Sequence, residues 1–348
     1  MAFRQIVGHR TALELAARAL VRGSLPPSLL FAGPEGVGKG LVAQGIAQAM
    51  NCLNPRMGSG SDTIAIDGCG ICSVCSRIDR GVFPDFIVVK PTETGSKNIE
   101  SKTGSIKIDQ LRPVFDQAAY RPFEARRRVV VIDQAEMMAA PAQSAFLKNL
   151  EEPPTSTQFI LVTSRPDMLL GTVRSRCPRL RFGFLAVDEI VEVLLSTEGP
   201  EKKLCRAAAA TSGGSVGRAL KIATGEFSTS RDDALELLDG ISSTRNVKEN
   251  IKKVQSWLKK NKTPSARRVD LRLRLESMSA LLRDIEAVEA GASIPLANAD
   301  VSGKIRTIAG RFGGGRGRRD FSVIHQAIDA VNSNVNPNII IDWVVSRL

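Results

Sequence analysis

Residues 33–40 read Gly33-Pro34-Glu35-Gly36-Val37-Gly38-Lys39-Gly40, which fits G-x-x-x-x-G-K up to its closing position. In such a loop the glycines let backbone N–H groups wrap phosphates and the lysine reaches the terminal phosphates, while a closing Ser or Thr hydroxyl ligates Mg²⁺. Gly40 takes that closing place and brings no hydroxyl. Further on, the apolar run Val129-Val130-Val131-Ile132 ends in Asp133, a carboxylate suited to Mg²⁺, and continues with Gln134. A hydrolysing enzyme of this type needs a carboxylate at that next position to orient the attacking water. Both departures remove hydrolytic chemistry, while Lys39 and the glycines leave ATP or ADP binding open, with Mg²⁺ only if nucleotide binds. Downstream, Ser175-Arg176-Cys177 places an arginine where a finger given in trans to a neighbour's nucleotide would lie. A disabled loop with a serviceable finger points to a subunit of a ring-like ATPase, not to a self-sufficient enzyme.

A second constellation is built from thiols. Four of the six cysteines, Cys52, Cys69, Cys72 and Cys75, fall in one short segment. Cys69-x-x-Cys72-x-x-Cys75 presents three thiolates within one tight turn, and Cys52 closes a tetrahedral set from the end of the preceding helix. A complete set of four sulfurs leaves no open position for water, so the favoured ion is a structural Zn²⁺. An iron–sulfur cluster and a redox C-x-x-C pair are the alternatives. Gly68 and Gly70 resemble a zinc knuckle, and no cofactor-binding context accompanies the cysteines. Cys177 and Cys205 read as packed thiols.

The elements that position these residues alternate. Thr11–Arg22 has helical apolar spacing, 28–32 reads as a short buried strand running into the glycine loop, and a helix follows from Lys39 to Asn51. Strand, glycine loop and helix together are the context of a phosphate site. Further strands are expected at 85–89, 129–132, 159–163 and 180–182, with helices at 108–119 and 139–152. Residues 91–105 read as an exposed loop. Continuously apolar strands alternating with helices indicate a parallel sheet covered on both faces. Beyond Phe182 helices are expected over 187–195, 202–211, 216–224, 231–240, 246–260, 266–290 and 321–332, with a last segment opened by Pro337. The Gly/Arg-rich stretch 310–317 reads as a flexible connector rather than as a nucleic-acid element. The division expected is 1–182 for the nucleotide-binding-like domain with its cysteine module, 183–240 for a small helical domain, and 241–348 for a second helical one.

With 348 residues there is room for two or three such domains. Aromatic residues are only 5%, so the cores must be mainly aliphatic. No stretch approaches the roughly 20 apolar residues a membrane helix needs. The start, Met1-Ala2-Phe3-Arg4-Gln5, carries no apolar run or cleavage site, so no signal peptide is read and the expected location is the cytoplasm. A net charge of +12 favours a polyanion nearby or acidic partners. Its late clusters, such as Lys259-Lys260 and Arg267-Arg268, are individually accounted for by solvated helix faces, and no aromatic interleaving indicates single-strand stacking.

In this order, the loop at 33–40, the cysteines at 52–75, the strand ending in Asp133, Leu150-Glu151-Glu152-Pro153-Pro154 and Ser175-Arg176-Cys177 resemble the bacterial clamp-loader subunits of the AAA+ class, most closely those of the delta-prime type. The helical remainder resembles them through Gly213-Gly214-Ser215 with Arg218 and through Asn334-Val335-Asn336-Pro337. The resemblance implies an α/β AAA+ phosphate-loop domain, a small helical lid and an all-α collar for oligomerisation. It implies that Lys39 faces the β/γ-phosphates, Asp133 holds Mg²⁺, Thr163 or Ser164 is the first sensor, Arg218 the second, and Arg176 the finger. The plainer alternatives are an interface salt bridge for Arg176 and a helix-surface charge for Arg218. It implies a hetero-oligomer with gamma/tau and delta-type subunits, acting on a sliding clamp and primed DNA within a DNA polymerase (nucleotidyltransferase) complex, with no membrane. Gly40 and Gln134 depart from the ATP-hydrolysing gamma/tau subunits, which are the alternative.

Overall fold

The computed structural model describes residues 2–58, 64–92, 104–197, 202–224, 228–243, 250, 252, 254–257, 264–294, 296, 298, 301–312, 316–333 and 335–348. The chain divides into two compact units, 1–197 with 213–218 and 198–212 with 219–348.

The first unit is built in chain order from α1 (Arg10–Val21), β1 (Ser28–Ala32), α2 (Lys39–Asn51), β2 (Arg56–Met57), β3 (Ile66–Asp67), α3 (Ser73–Asp79), β4 (Phe86–Val89), α4 (Ile108–Ala119), β5 (Arg128–Ile132), α5 (Ala140–Glu151), β6 (Thr157–Thr163), α6 (Gly171–Arg174), β7 (Arg179–Arg181) and α7 (Val187–Ser196). Five strands form one sheet in the order β4-β5-β6-β1-β7, every pair parallel. Strands β1, β5 and β6 are buried along their whole length. Leu30, Val130, Ile132, Phe159 and Leu161 share one core with residues of α4 and α5, among them Leu111 and Phe146. Side chains alternate along a strand, so Phe31, Val129, Val131, Ile160 and Val162 face the other way. They are buried as well, which is what a sheet flanked by helices on both faces requires. This is a parallel α/β sheet with the glycine loop leaving the C-terminal end of β1.

The second unit is helical, with Leu238, Trp257, Leu282, Ile308, Val331 and Ile341 in one core. Its helices span Lys202–Thr211, Ser228–Ser243, Pro264–Glu289, Ser302–Phe312, Arg316–Asn332 and Pro337–Arg347. Two differences from the sequence expectation have physical causes. Of the connector read over 310–317, residues 310–312 lie inside the helix Ser302–Phe312 and 316–317 open the next helix, while 313–315 lie outside the described residues. Ile305, Ile308, Ala309 and Phe312 are buried at helical spacing, and that packing outweighs glycine's modest helix penalty. The hairpin β2–β3 was not expected, because two-residue strands carry too little pattern to read. Most of the loop read over 91–105 and much of the helix read over 246–260 lie outside the described residues, although 254–257 are helical.

One buried ion pair fixes the start of β5. Asp85, 1% exposed, accepts the N–H groups of Phe123, Glu124 and Ala125, and Arg128 closes on it at 3.0 Å. Arg128 in turn donates to the carbonyls of Gln117, Tyr120 and Arg121, so one pair ties the end of α4 to β5. Burial pushes the Asp85 carboxyl up, but the three N–H donors and the guanidinium outweigh it and leave its pKa below the ordinary value. A depressed folded-state pKa gives stability that is present above the unfolded value, about 3.9, and lost as pH falls through the folded one. Asp85→Asn breaks the pair and should cost about 3–5 kcal/mol. Denaturant melts between pH 7 and pH 2 should show the wild-type advantage over Asp85→Asn vanish on the acid side.

Candidate functional site

The C-terminal ends of β1, β5 and β6 meet at one sheet edge. Ala32 lies opposite Thr163, and the N–H of Gly33 donates to the Thr163 carbonyl at 3.2 Å. From there the loop turns into α2 through Gly36 at φ 76° and Gly38 at φ 102°, both left-handed positions that favour glycine. Gly33 is required for a different reason. A Cβ there would lie 2.3 Å from the carbonyl oxygen of Phe182. Gly38 is the N-cap of α2 and supplies no side-chain cap, so the first-turn N–H groups stay available to an anion. Lys39 is 6% exposed, and its Nζ donates to the carbonyls of Gly33 at 2.7 Å and Pro34 at 2.5 Å. Burial lowers its pKa, opposed by the charges of Glu136, Asp133 and Glu35.

Asp133 follows β5 and accepts the N–H of Gln134 at 3.0 Å. Burial pushes its carboxyl up and the Glu136 charge adds to that, against the Gln134 N–H and the charges of Lys90 and Lys39. Gln134 sits at φ 50° and opens a tight turn, Ala135–Met137. Glu136 in that turn was missed from sequence. Its Oε1 accepts from the backbone N–H of Ser164 at 3.0 Å and from the Ser164 hydroxyl at 2.5 Å. Its Oε2 is buried without a hydrogen-bond partner among the described residues. Thr163, the other first-sensor candidate, is 1% exposed, and its hydroxyl accepts from the N–H of Arg165.

Residues 213–218 pack onto the loop itself. The Ser215 hydroxyl donates to the Glu35 carbonyl at 2.9 Å, and the Gly217 N–H donates to the Gly36 carbonyl at 2.9 Å. A Cβ on Gly36 would meet Ser215 Oγ at 2.4 Å, so the contact depends on two glycines facing each other. Arg218 follows directly, with its Nε buried and unpartnered among the described residues. His9, another residue the sequence did not single out, holds the loop from the far side. Its Nε2 lies 2.7 Å from the Val37 carbonyl and its ring packs edge-on to Phe182.

Arg176 is not drawn into this constellation. It follows the short helix α6, with Val173 and Cys177 buried on either side as anchors, and its own side chain is 37% exposed. Burial pushes the Cys177 thiol up to about 12, which fits a packed, unreactive role.

The four cysteine sulfurs lie within 4.8 Å of one another. Cys52 Sγ and Cys72 Sγ are 3.9 Å apart, close to the edge of about 3.8 Å expected for thiolates tetrahedral about one ion. Backbone N–H groups already point at the sulfurs, Cys69 to Cys52 at 3.2 Å and Cys72 to Cys69 at 3.3 Å. Burial opposes ionisation of Cys72, yet N–H groups from Cys75 and Leu53 win and bring it down to about 6. The donor set fits a thiophilic metal ion.

A family model described as DNA polymerase III, delta subunit, matches residues 8–185, just over half of the chain. The chain belongs to the DNA polymerase III delta-subunit family. It is also 30% identical over 250 residues to DNA polymerase III subunit tau of Escherichia coli, which covers 70% of this chain and 35% of that protein. Against subunit gamma of Buchnera aphidicola (Schizaphis graminum) it is 30% identical over 192 residues, 55% of this chain and 48% of the relative. It therefore spans about a third to a half of the length of these relatives. A solved gamma-subunit-related protein of Thermotoga maritima overlays with a TM-score of 0.48 at 15% identity, covering 96% and 97% of the two chains. Over the matched stretch the chain is thus homologous to the tau and gamma subunits of DNA polymerase III. The stretch matched to the delta-subunit family holds the phosphate loop, all four clustered cysteines, Asp133, Glu136 and Arg176, whereas Arg218 lies beyond it. No described helix is long and apolar enough to cross a membrane.

In this delta-family member the cysteine module adjoins the end of α2, and α2 begins at the phosphate loop. Purified protein should carry one metal ion per chain, released by chelation with loss of ordered structure around 52–75 while the sheet stays folded. Elemental analysis with hydrogen exchange before and after chelation checks this; a metal-free chain with the same protected module would contradict it.

Proposed function

We propose that this chain is a delta-prime-type clamp-loader subunit that does not hydrolyse ATP itself and lends Arg176 to a neighbour's nucleotide. It would form part of a hetero-oligomeric arc with gamma/tau and delta-type subunits that opens a sliding clamp and places it on primed DNA. The observation that carries this is at position 40. A Cβ built on Gly40 meets nothing within 4 Å, and its φ is not left-handed, so packing does not demand glycine where the metal-binding hydroxyl belongs. The loss is chemical rather than steric. Gln134 adds a second loss, since it offers no carboxylate beside Asp133.

Lys39, Asp133 and Arg218 are then parts of a site that takes ATP or ADP without turnover. Asp133 would hold Mg²⁺ when nucleotide is bound. Arg176 would place a cation against charge developing on the γ-phosphoryl group in the adjoining subunit, where such fingers contribute roughly 10³–10⁵ in rate. Zn²⁺ is the ion proposed for Cys52, Cys69, Cys72 and Cys75, because a closed set of four thiolates suits a structural site. The proposed division is a nucleotide-binding-like domain over 1–182, a lid over 183–240 and an oligomerisation collar over 241–348.

ATP hydrolysis by this chain, in the manner of a gamma/tau subunit, is favoured by one observation. Glu136 supplies a carboxylate facing Lys39 and Asp133, two residues past the expected place, and the tau and gamma relatives bear the matching names. Against it, one Glu136 oxygen is already taken by both donors of Ser164.

Two substitutions separate these roles. Arg176→Ala should leave the protein folded and the complex assembled, while DNA-stimulated ATP hydrolysis by the reconstituted complex falls. Gly40→Ser should fold normally and still give no ATP turnover by the isolated chain. Unchanged hydrolysis with Arg176→Ala removes the finger role; turnover by Gly40→Ser, abolished by Glu136→Gln, would favour the hydrolysing subunit.

A further inference from the structure

The run Leu150-Glu151-Glu152-Pro153-Pro154 has no part in the nucleotide loop or the cysteine module. It ends α5, with Glu151 as the last helical residue and Glu152 as the C-cap. Two carboxylates at a helix C-terminus face the negative end of the helix dipole and are unfavourable there unless a cation answers them. The cation that answers Glu151 is Arg176: Nη2 lies 2.8 Å from Glu151 Oε1. A second anchor comes from α6, where Nη1 of Arg176 donates to the Thr172 carbonyl at 3.0 Å. Arginine carries five N–H donors in a planar fork, so these two anchors leave others free to face outward.

We infer that Glu151 is a positioning residue for the arginine finger, holding the Arg176 guanidinium in a fixed orientation before a neighbour's nucleotide arrives. This rests on the finger-donating role proposed above. An unanchored arginine on an exposed turn samples many rotamers, and ordering it at the moment of phosphoryl transfer would cost rate. Buried Val173 and Cys177 fix the backbone on either side of Arg176, but they do not fix the long side chain. Glu151 and Thr172 do. The ion pair also offsets the unfavourable placing of a carboxylate at the C-terminal end of α5. Both partners are partly exposed, at 37% and 52%, so the pair is a modest orienting contact and not a stability device.

The test uses the full chain reconstituted with ATP-hydrolysing gamma-type subunits and a delta-type subunit. The finger-dependent rate is the difference in DNA-stimulated ATPase between complexes carrying wild type and Arg176→Ala. Glu151→Ala should lower that rate about two- to fivefold through kcat, with KM for ATP, complex assembly and the melting temperature unchanged. Glu151→Gln, which keeps a neutral acceptor, should fall between wild type and Ala. Adding Glu151→Ala to Arg176→Ala should lower the rate no further. If Arg176→Ala slows hydrolysis and Glu151→Ala does not, or if the two losses add, Glu151 does not act through the finger. If Arg176→Ala itself has no effect, the finger role fails, and with it this inference.

Discussion

In a parallel pair both strands end on the same side, and three of the strands here are buried from end to end. The registers of β1 with β6 and of β6 with β5 therefore bring three loop starts to one edge of the sheet: the glycine loop after Ala32, the turn after Ile132 and the bend after Thr163. Ligands of open α/β sheets lie at such carboxyl edges because only there can backbone leave the sheet toward a common point. Lys39, Asp133, Glu136 and Ser164 meet for that reason, although more than a hundred positions separate the first from the last. The Asp85–Arg128 pair works at the opposite end of the same strands, where it fixes the entry of β5.

Within that edge the charges are already balanced by protein. Lys39 is desolvated, its ammonium is occupied by two loop carbonyls, and carboxylates from Glu136 and Asp133 surround it. The loop backbone is held from one side by His9 and from the other by Ser215 and Gly217. A phosphate would have to displace the carbonyls from Lys39 and would find no hydroxyl at position 40. Elsewhere in the same unit, just after α6, Arg176 is held by Glu151 and the Thr172 carbonyl with its side chain 37% exposed.

Much of this was legible in the sequence because short motifs carry their own geometry. The spacing of glycines around Lys39 fixed the loop and the helix behind it, the two C-x-x-C steps from Cys69 to Cys75 fixed a clustered thiol site, and continuous apolar runs gave the central strands. Other features were not legible. Glu136 acts through a tight turn that begins at a left-handed Gln134, so the expected neighbour position turned away and a residue two further on faced the site. The contact of Gly217 with Gly36 joins positions far apart in sequence, and neither residue signals the other. The helix Ser302–Phe312 was hidden by its glycines, whose low propensity masked a buried stripe that only packing reveals. Glu151 lay inside a noticed motif, but an ion pair between the end of one helix and the turn after another leaves no trace in spacing.

On the proposed function, the phosphate loop of this chain is idle in the hydrolytic cycle while its arginine is not. Lys39→Met keeps the buried stem and removes the ammonium, and it can be placed in this subunit alone within a reconstituted complex. DNA-stimulated ATP hydrolysis and clamp loading should then match the wild-type complex within error. A fall in ATP turnover, with assembly intact, would show that this loop hydrolyses or gates nucleotide and would contradict the account.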